Sequence, residues 1–341
     1  MPEALLNPSF QMSYGAVIAL IAGYEVVQPV MTRWRSPGSW WRFVVLYVVG
    51  LVFSSLLATA ATAPFSAYTF NRIALFGLVA NMVAVPLSGV LVMPAGLIGV
   101  LLMPFGWEAV GLVPMGWGIA AINDVAVAIG GWPSAVIKVP AFPIDALAVI
   151  ALGGLWLCLW RGTWRWWGAG VVAAGCLAAA LARPPDLLVS PDGRLMAVNP
   201  RAGHLMLSSL SGQRFTAEGW LARYAEDQPE ALTTASGEGS PQCDRFGCLY
   251  RAGPHTVALV TDARALAEDC RVATIVVSAV PVRGRCASAA VVIDRFDLWR
   301  SGAHALWLTD DAVTVRSVRD DRGVRPWAPA PELRRRAAAA Q

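Results

Sequence analysis

Residues 43–63 read FVVLYVVGLVFSSLLATAATA, a run without a single charge. A hydrocarbon core about 30 Å thick takes roughly 20 apolar residues as helix, so this stretch predicts a membrane span. The same reading works outward along the chain. Residues 13–30 predict a span with Glu25 near its end. Residues 144–160 predict a short one, and 168–182 another that is rich in Ala and Gly. Between them, 73–114 is a long apolar run interrupted by Pro86, Pro94 and Pro104. Each proline removes a helix donor, so two short segments forming a hairpin are expected there. Residues 117–132 predict a helix at the outer interface or packed in a bundle. Its Asn123 and Asp124 would be costly in hydrocarbon, and Gly116, Ala120, Asp124 and Ala128 share one small stripe.

The whole chain has the same character in its first half only. It has 341 residues, 56% of them hydrophobic and 15% charged, with a mean hydropathy of +0.52. Ordinary soluble domains are about 25% charged, and these values exclude disorder, collagen and a small disulfide scaffold. Twelve charged residues fall in 1–182 and the other 38 in 183–341. The fold class read from this is a multi-pass α-helical membrane domain over 1–182, followed by a soluble α+β domain over 183–333. Residues 334–341, basic and then Ala-rich, read as a flexible tail. Each half carries the same small positive excess, so charge alone does not point to nucleic acid. Eleven of 15 tryptophans precede residue 183, as expected of indoles at hydrocarbon edges. The start lacks the basic n-region of a cleavable signal peptide.

Orientation follows from the bases. Arg33, Arg35 and Arg42 separate the first two spans, and Arg161 and Arg165 separate the last two. The positive-inside rule makes both loops cytoplasmic. An even number of crossings between 64 and 143, supplied by the hairpin, then delivers 183–341 to the outside. In that half, apolar runs at 187–190, 195–199, 204–209, 256–261, 272–278 and 290–294 predict strands, and 216–224 and 263–269 predict helices. Asp192-Gly193 is a hairpin turn signal, and 228–242 is a polar loop.

Several constellations carry chemistry. Asn81 lies in the apolar setting LVANMVAVP, and Pro86 frees a carbonyl one turn before it. The pair reads either as a kink with interhelical glue or as a break lining a cavity. Gly50, Ser54, Ala58 and Thr62, four apart, read as a helix-packing stripe. The expected outer loop 64–72 joins three aromatics to Asn71 and Arg72. Such a mixture suits a nucleic-acid strand or, equally, an ordinary membrane boundary. Cys158 and Cys176 read as packing residues. Cys243, Cys248, Cys270 and Cys286 on the outside suggest disulfides, with Cys243–Cys248 and Cys270–Cys286 the local pairing among three. A zinc site and free thiols are the alternatives. His204, His255 and His304 are scattered, and H-x-H-x-D-H, H-E-x-x-H, G-x-S-x-G and phosphate-loop patterns are missing. No metal, no cofactor and no catalytic centre are therefore expected. Asp294 and Asp297, with Arg295 and Arg300, read as a solvated strand end.

Residues 7–17, NPSFQMSYGAV, resemble a helix start of the ComEC competence family. ANMVAVPLSG at 80–89, continuing to MPAGL at 93–97, is similar to a second signature of that family's membrane domain, and Ala63-Pro64 and Phe70-Asn71-Arg72 also fit. The resemblance covers about half the chain. It implies an inner-membrane channel that passes single-stranded DNA into the cytoplasm during natural transformation. Under it, Gln11, Ser13, Asn71, Arg72, Asn81, Pro86, Asn123 and Asp124 are the pore or DNA-path candidates. The implied partners are single-stranded DNA, the lipid bilayer, upstream channel helices, a cytoplasmic DNA-translocating motor and further copies in a homo-oligomer. Family members carry an outer OB-like domain and several helices upstream of the matching region, so an N-terminally incomplete channel is expected. Many also carry a C-terminal metallo-β-lactamase-like domain with an early metal-binding motif. Here the corresponding place reads DLLVSPDG at 186–193, and the soluble half resembles a degenerate, ligand-free relative. The rival readings are a membrane-anchored nuclease acting on incoming DNA and a non-transporting scaffold.

Overall fold

The computed structural model describes residues 5–34, 40–200, 204–209, 213–232, 241–282, 284, 286, 289–323 and 325. Arg35 and the 334–341 tail lie outside them. The chain divides into two compact units, Met1–Ala182 and Arg183–Gln341.

The first unit is helical: α1 (Pro8–Trp34), α2 (Trp40–Phe70), strand β1 (Arg72–Ala74), α3 (Gly77–Leu87), a π-helical turn (Ser88–Val92), α4 (Met93–Leu102), α5 (Ala109–Gly130), strand β2 (Val136–Lys138), α6 (Ile144–Leu159) and α7 (Trp167–Ala180). Four stretches are long and apolar enough to cross a membrane: Pro8–Arg33, Trp40–Phe70, Gly77–Phe105 and Ala109–Gly130. α1 and α2 pack antiparallel through the stripe read as helix packing. Tyr24 Oη lies 2.7 Å from Ser54 Oγ and donates to the Gly50 carbonyl at 3.1 Å.

Three expectations are corrected here. Residues 64–70 are not a loop, because α2 runs on through Pro64 to Phe70. A proline inside a membrane helix is tolerated when neighbouring packing and polar groups meet the freed carbonyl. Nor do Pro86 and Pro94 break the run between 73 and 114; of its three expected breakers only Pro104 stands at the chain reversal. Gly77–Phe105 is one continuous span of 29 residues. Pro86 sits in the last turn of α3 and Pro94 in the first turn of α4, on either side of the π-helical turn. The wider π turn between them absorbs the mismatch. Finally, 117–132 is not a separate interfacial helix but most of α5, the second leg of the hairpin. The chain reverses at Gly106, whose φ is 72°. Asn123 and Asp124 fall in the last two turns of this 22-residue helix, within about 10 Å of its end at 1.5 Å per residue. A polar pair there reaches the interface, which is why the span tolerates it.

The hairpins pack closely. A Cβ on Gly118 would sit 2.7 Å from Val92 Cγ2, and one on Gly99 would sit 3.0 Å from Leu112 Cδ2. In α6 and α7, a Cβ on Gly153 would lie 2.7 Å from the Val172 nitrogen. Small residues at such crossings let the backbones touch. β1 and β2 pair antiparallel, with Arg72 opposite Lys138, and join the α2–α3 and α5–α6 connections.

The second unit contains β3 (Leu187–Val189), β4 (Met196–Val198), β5 (Met206–Leu207), α8 (Arg214–Arg223), β6 (Glu230–Ala231), β7 (Gln242–Cys243), β8 (Gly247–Ala252), β9 (His255–Val260), α9 (Leu266–Val272), β10 (Ile275–Ser278), β11 (Val291–Ile293), α10 (Arg295–Ser301), β12 (His304–Leu308), β13 (Val313–Ser317) and α11 (Val318–Arg322). One sheet has the order β13-β12-β3-β4-β5-β6 and the other β11-β10-β9-β8-β7. Both are mixed. β9, β10 and β11 run parallel, and so do β5 and β6; the remaining pairs are antiparallel. The sheets face each other across Leu187, Val198, Val257, Ile275 and Leu306. α8 covers the outer face of the first sheet through Ala217, Trp220 and Leu221. α9 covers the second through Leu266 and Cys270. Strands buried on both faces explain the unbroken apolar runs seen in the sequence.

Asp294 and Asp297 are not a solvated strand end. Asp294 caps α10, accepting from Phe296 N and Asp297 N, while Asp297 reaches back to the Asp294 amide. The D-x-x-D spacing is a capping box, with Asp in the place usually held by Glu or Gln.

Candidate functional site

The polar candidates of the helical unit gather at one end of it. Gln11 and Ser13 stand in the first turns of α1, where Gln11 Nε2 donates to the Leu5 carbonyl at 3.1 Å. α1 runs antiparallel to α2, so these turns lie level with the end of α2, and a Cβ on Gly15 would meet Phe65 at 3.3 Å. Asn71 and Arg72 follow directly. Asn81 is four residues into α3, and Asn123 and Asp124 lie in the last turns of the antiparallel α5. At 1.5 Å per residue, all seven stand within about 10 Å of the helix ends around the β1–β2 ribbon. Pro86 is the exception, near mid-helix. The structure brings them to one level, not to one point: no hydrogen bond joins any two of these side chains among the described residues.

The ribbon organises this end. Asn71 follows the last turn of α2 with φ 55°, a left-handed conformation that Asn tolerates better than most residues. It is 7% exposed. Its N–H donates to Ala67 O at 3.0 Å, its carbonyl accepts from Val139 N at 3.0 Å, and its Nδ2 donates to Val139 O at 3.2 Å. The side-chain amide thus replaces the backbone N–H that the helix has already taken. Asn71 therefore serves as the bracket of the ribbon, while Arg72 is exposed beside it. Lys138, which sequence reasoning missed, is Arg72's cross-strand neighbour. The two triplets are far apart in the sequence and too short to announce a sheet. Asn123 and Asp124 are exposed on α5, and Asn81 is half-buried on α3.

The described bases of the helical unit outside the ribbon lie toward the opposite end: Arg33 ends α1 and Arg42 begins α2, while Arg161 and Arg165 stand in the α6–α7 turn, short of those ends. Arg161 is ion-paired with Glu25 of α1, and Arg165 Nη2 donates to Leu157 O at 2.8 Å.

In the soluble unit the three histidines do not converge. His204 is exposed near Glu226, His255 Nε2 contacts Thr309 O at 2.7 Å, and buried His304 uses Nδ1 on Gly302 O at 2.9 Å. Burial holds the His304 ring below its ordinary pKa, with Asp297 and Asp320 opposing. Asp186, at the place of the expected metal-binding motif, is buried, paired with Arg183 and bonded to the Leu308 amide at 2.7 Å. No group of three or more His, Cys, Asp or Glu among the described residues is placed to hold a metal ion. Cys243 is bonded to Cys248 and Cys270 to Cys286, while Cys158 and Cys176 are free. The first disulfide closes the β7–β8 hairpin. At its tip, Arg245 and Arg264 stack on Phe246 at 4.5 and 4.6 Å. Arg264 holds the Asp262 carboxyl down at about 2.

Membrane-length helices joined to a sandwich of mixed sheets define a polytopic membrane protein with a soluble α+β unit. Residues 1–164 match the family model described as Competence protein. The helical unit is thus similar to that family, consistent with a ComEC-family competence protein, and the likeness points to a role in DNA uptake in competence. The match ends within the helical unit and lends nothing to the metallo-β-lactamase-like resemblance. No curated protein and no solved structure matches the chain.

Proposed function

We propose that the helical unit is part of an inner-membrane channel that admits single-stranded DNA during natural transformation. A polyanion cannot cross hydrocarbon unaided, since even one charge is costly there. The observation that carries the reading is the polar collar at the ribbon end, on a unit similar to the Competence family. Four of the described bases lie toward the other end, which the positive-inside rule makes cytoplasmic. The strand then enters past the ribbon, and Arg183–Gln341 stands in the periplasm. The soluble unit is read as non-catalytic. The channel works with further helices, other copies of the chain and a cytoplasmic motor that pulls the strand.

Complementation tests this. A deletion strain carrying the chain, alone or extended upstream, is scored for transformation, with alkaline phosphatase fused after Ala182 in parallel. Restored uptake in either form and an active fusion are expected. Full stability of both forms in the membrane without any uptake would refute the channel. A silent phosphatase, with activity instead from a cytoplasm-only reporter, would refute the orientation.

A further inference from the structure

The helices of the membrane unit are unequal, and the shortfall lies at one end. The Tyr24–Ser54 bond fixes the level at which α1 and α2 face each other. Glu25, next in the chain, is paired with Arg161, just past the end of α6. The α6–α7 turn at 160–166 therefore stands at that level. Beyond it, α1 continues from Glu25 to Trp34 and α2 from Ser54 back to Trp40. These extensions measure roughly 13 and 21 Å at 1.5 Å per residue. Between Arg42 and Ser54 the α2 extension is apolar and uncovered, with Phe43 69% and Val45 40% exposed. Such a surface belongs in hydrocarbon. The bilayer therefore continues past the turn, and α6 and α7, with 16 and 14 residues, end inside it.

Yet the turn is neither apolar nor covered. Arg161 and Glu25 are 82% and 51% exposed in their side chains. Irregular backbone at membrane depth survives only when buried in protein or lining a water-filled cavity, and an ion pair in lipid is costly. No described segment of this chain covers the turn. Trp160 and Trp164 lie 5.3 and 5.8 Å from Trp156, ring centroid to centroid, and Trp167 lies 6.0 Å from Trp164; the four wall this turn as indoles do at a water boundary.

We propose that the 160–166 turn lines a water-filled recess, open at the end of the unit that carries Arg33 and Arg42, in which Arg161 and Arg165 meet the phosphates of a passing strand. Glu25 offsets one of the two cations, leaving the recess net positive. The recess itself follows from helix length and exposure, whereas its phosphate occupant rests on the DNA-uptake reading.

Cysteine accessibility separates the two. In a chain with Cys158→Ala and Cys176→Ala, Thr163→Cys and Val45→Cys are probed in inside-out vesicles with a charged, membrane-impermeant methanethiosulfonate. This reagent needs the hydrated thiolate, so modification of Thr163→Cys at least about a hundredfold faster than Val45→Cys is expected. An unreactive Thr163→Cys would overturn the recess. Equal reaction of both would overturn it too, by placing the turn at the membrane surface. An oligothymidylate should then slow Thr163→Cys modification, and not in an Arg161→Gln, Arg165→Gln background. Failure to protect would overturn the phosphate assignment alone, leaving channel function to the complementation assay.

Discussion

Replacing Asn71 separates a bracket from a DNA contact. Asn71→Ala forces a Cβ-bearing residue without a compensating amide into the left-handed region, at about 1–2 kcal/mol. It also removes the 3.2 Å bond to Val139 O, whose loss at a 7% exposed site costs about 1–3 kcal/mol more. Asn71→Gly keeps the backbone conformation free and loses only the bond. The alanine variant should therefore be less stable than wild type by about 2–5 kcal/mol, and less stable than the glycine variant by about 1–2 kcal/mol. Denaturant titration of the purified chain in detergent, followed by tryptophan fluorescence, reads both differences. Transformation frequency read alongside should follow stability, with the glycine variant retaining more uptake than the alanine variant. Two variants of equal stability, each within about 0.5 kcal/mol of wild type but both deficient in uptake, would refute the bracket and return Asn71 to the strand's path.

Neighbouring glycines of α6 offer a paired test: Gly153→Ala meets the Val172 nitrogen at 2.7 Å, while Gly154→Ala meets nothing within 4 Å. The first should destabilise by about 1–3 kcal/mol and the second should not, and equal effects would show that α6 and α7 do not pack as described. Mass spectrometry of non-reduced tryptic digests should find Cys243 linked to Cys248 and Cys270 to Cys286. Separation of 16 residues makes the second link worth about 3 kcal/mol, visible as a lower denaturation midpoint on reduction. His304 gives an acid response. Its folded pKa lies below the ordinary 6.5, so between the two values the unfolded chain binds more protons, and stability falls as pH drops below 6.5. His304→Gln should flatten the dependence of the denaturation midpoint on pH between 7.5 and 5, and an unchanged slope would assign the effect elsewhere.

Much of the fold was legible because a single strong signal wrote it. Apolar length marked α6 and α7 within two residues and the middles of α1 and α2, and unbroken apolar runs marked β3, β4, β9 and β10. The proline-rich stretch misled in part: Pro86 and Pro94 are read locally as breakers although the span runs through both, whereas Pro104 does stand at the chain reversal. Asn123-Asp124 misled in the same way, because cost in hydrocarbon depends on depth along a helix whose ends were not yet fixed. β12 and β13 went unread although each has five residues: β12 is a short apolar run behind His304, and in β13 Thr314 and Arg316 interrupt the valines. The Asn71 bracket was beyond reach: its polarity was visible, but its partner Val139 is distant in the chain and identified by a fold, not by a pattern. The same holds for Glu25 and Arg161.

The ribbon of β1 and β2 also has a mechanical meaning. It staples the start of α3 to the region beyond α5, so the two long legs between them share a fixed root and a distant, unstapled tip at Gly106. A leg of 29 residues is a lever of about 43 Å. A tilt of about 5° at the root then sweeps the tip through about 4 Å while the root barely moves. Motion in this part of the protein is thereby graded along the membrane normal, quiet where the polar collar stands and largest on the far side.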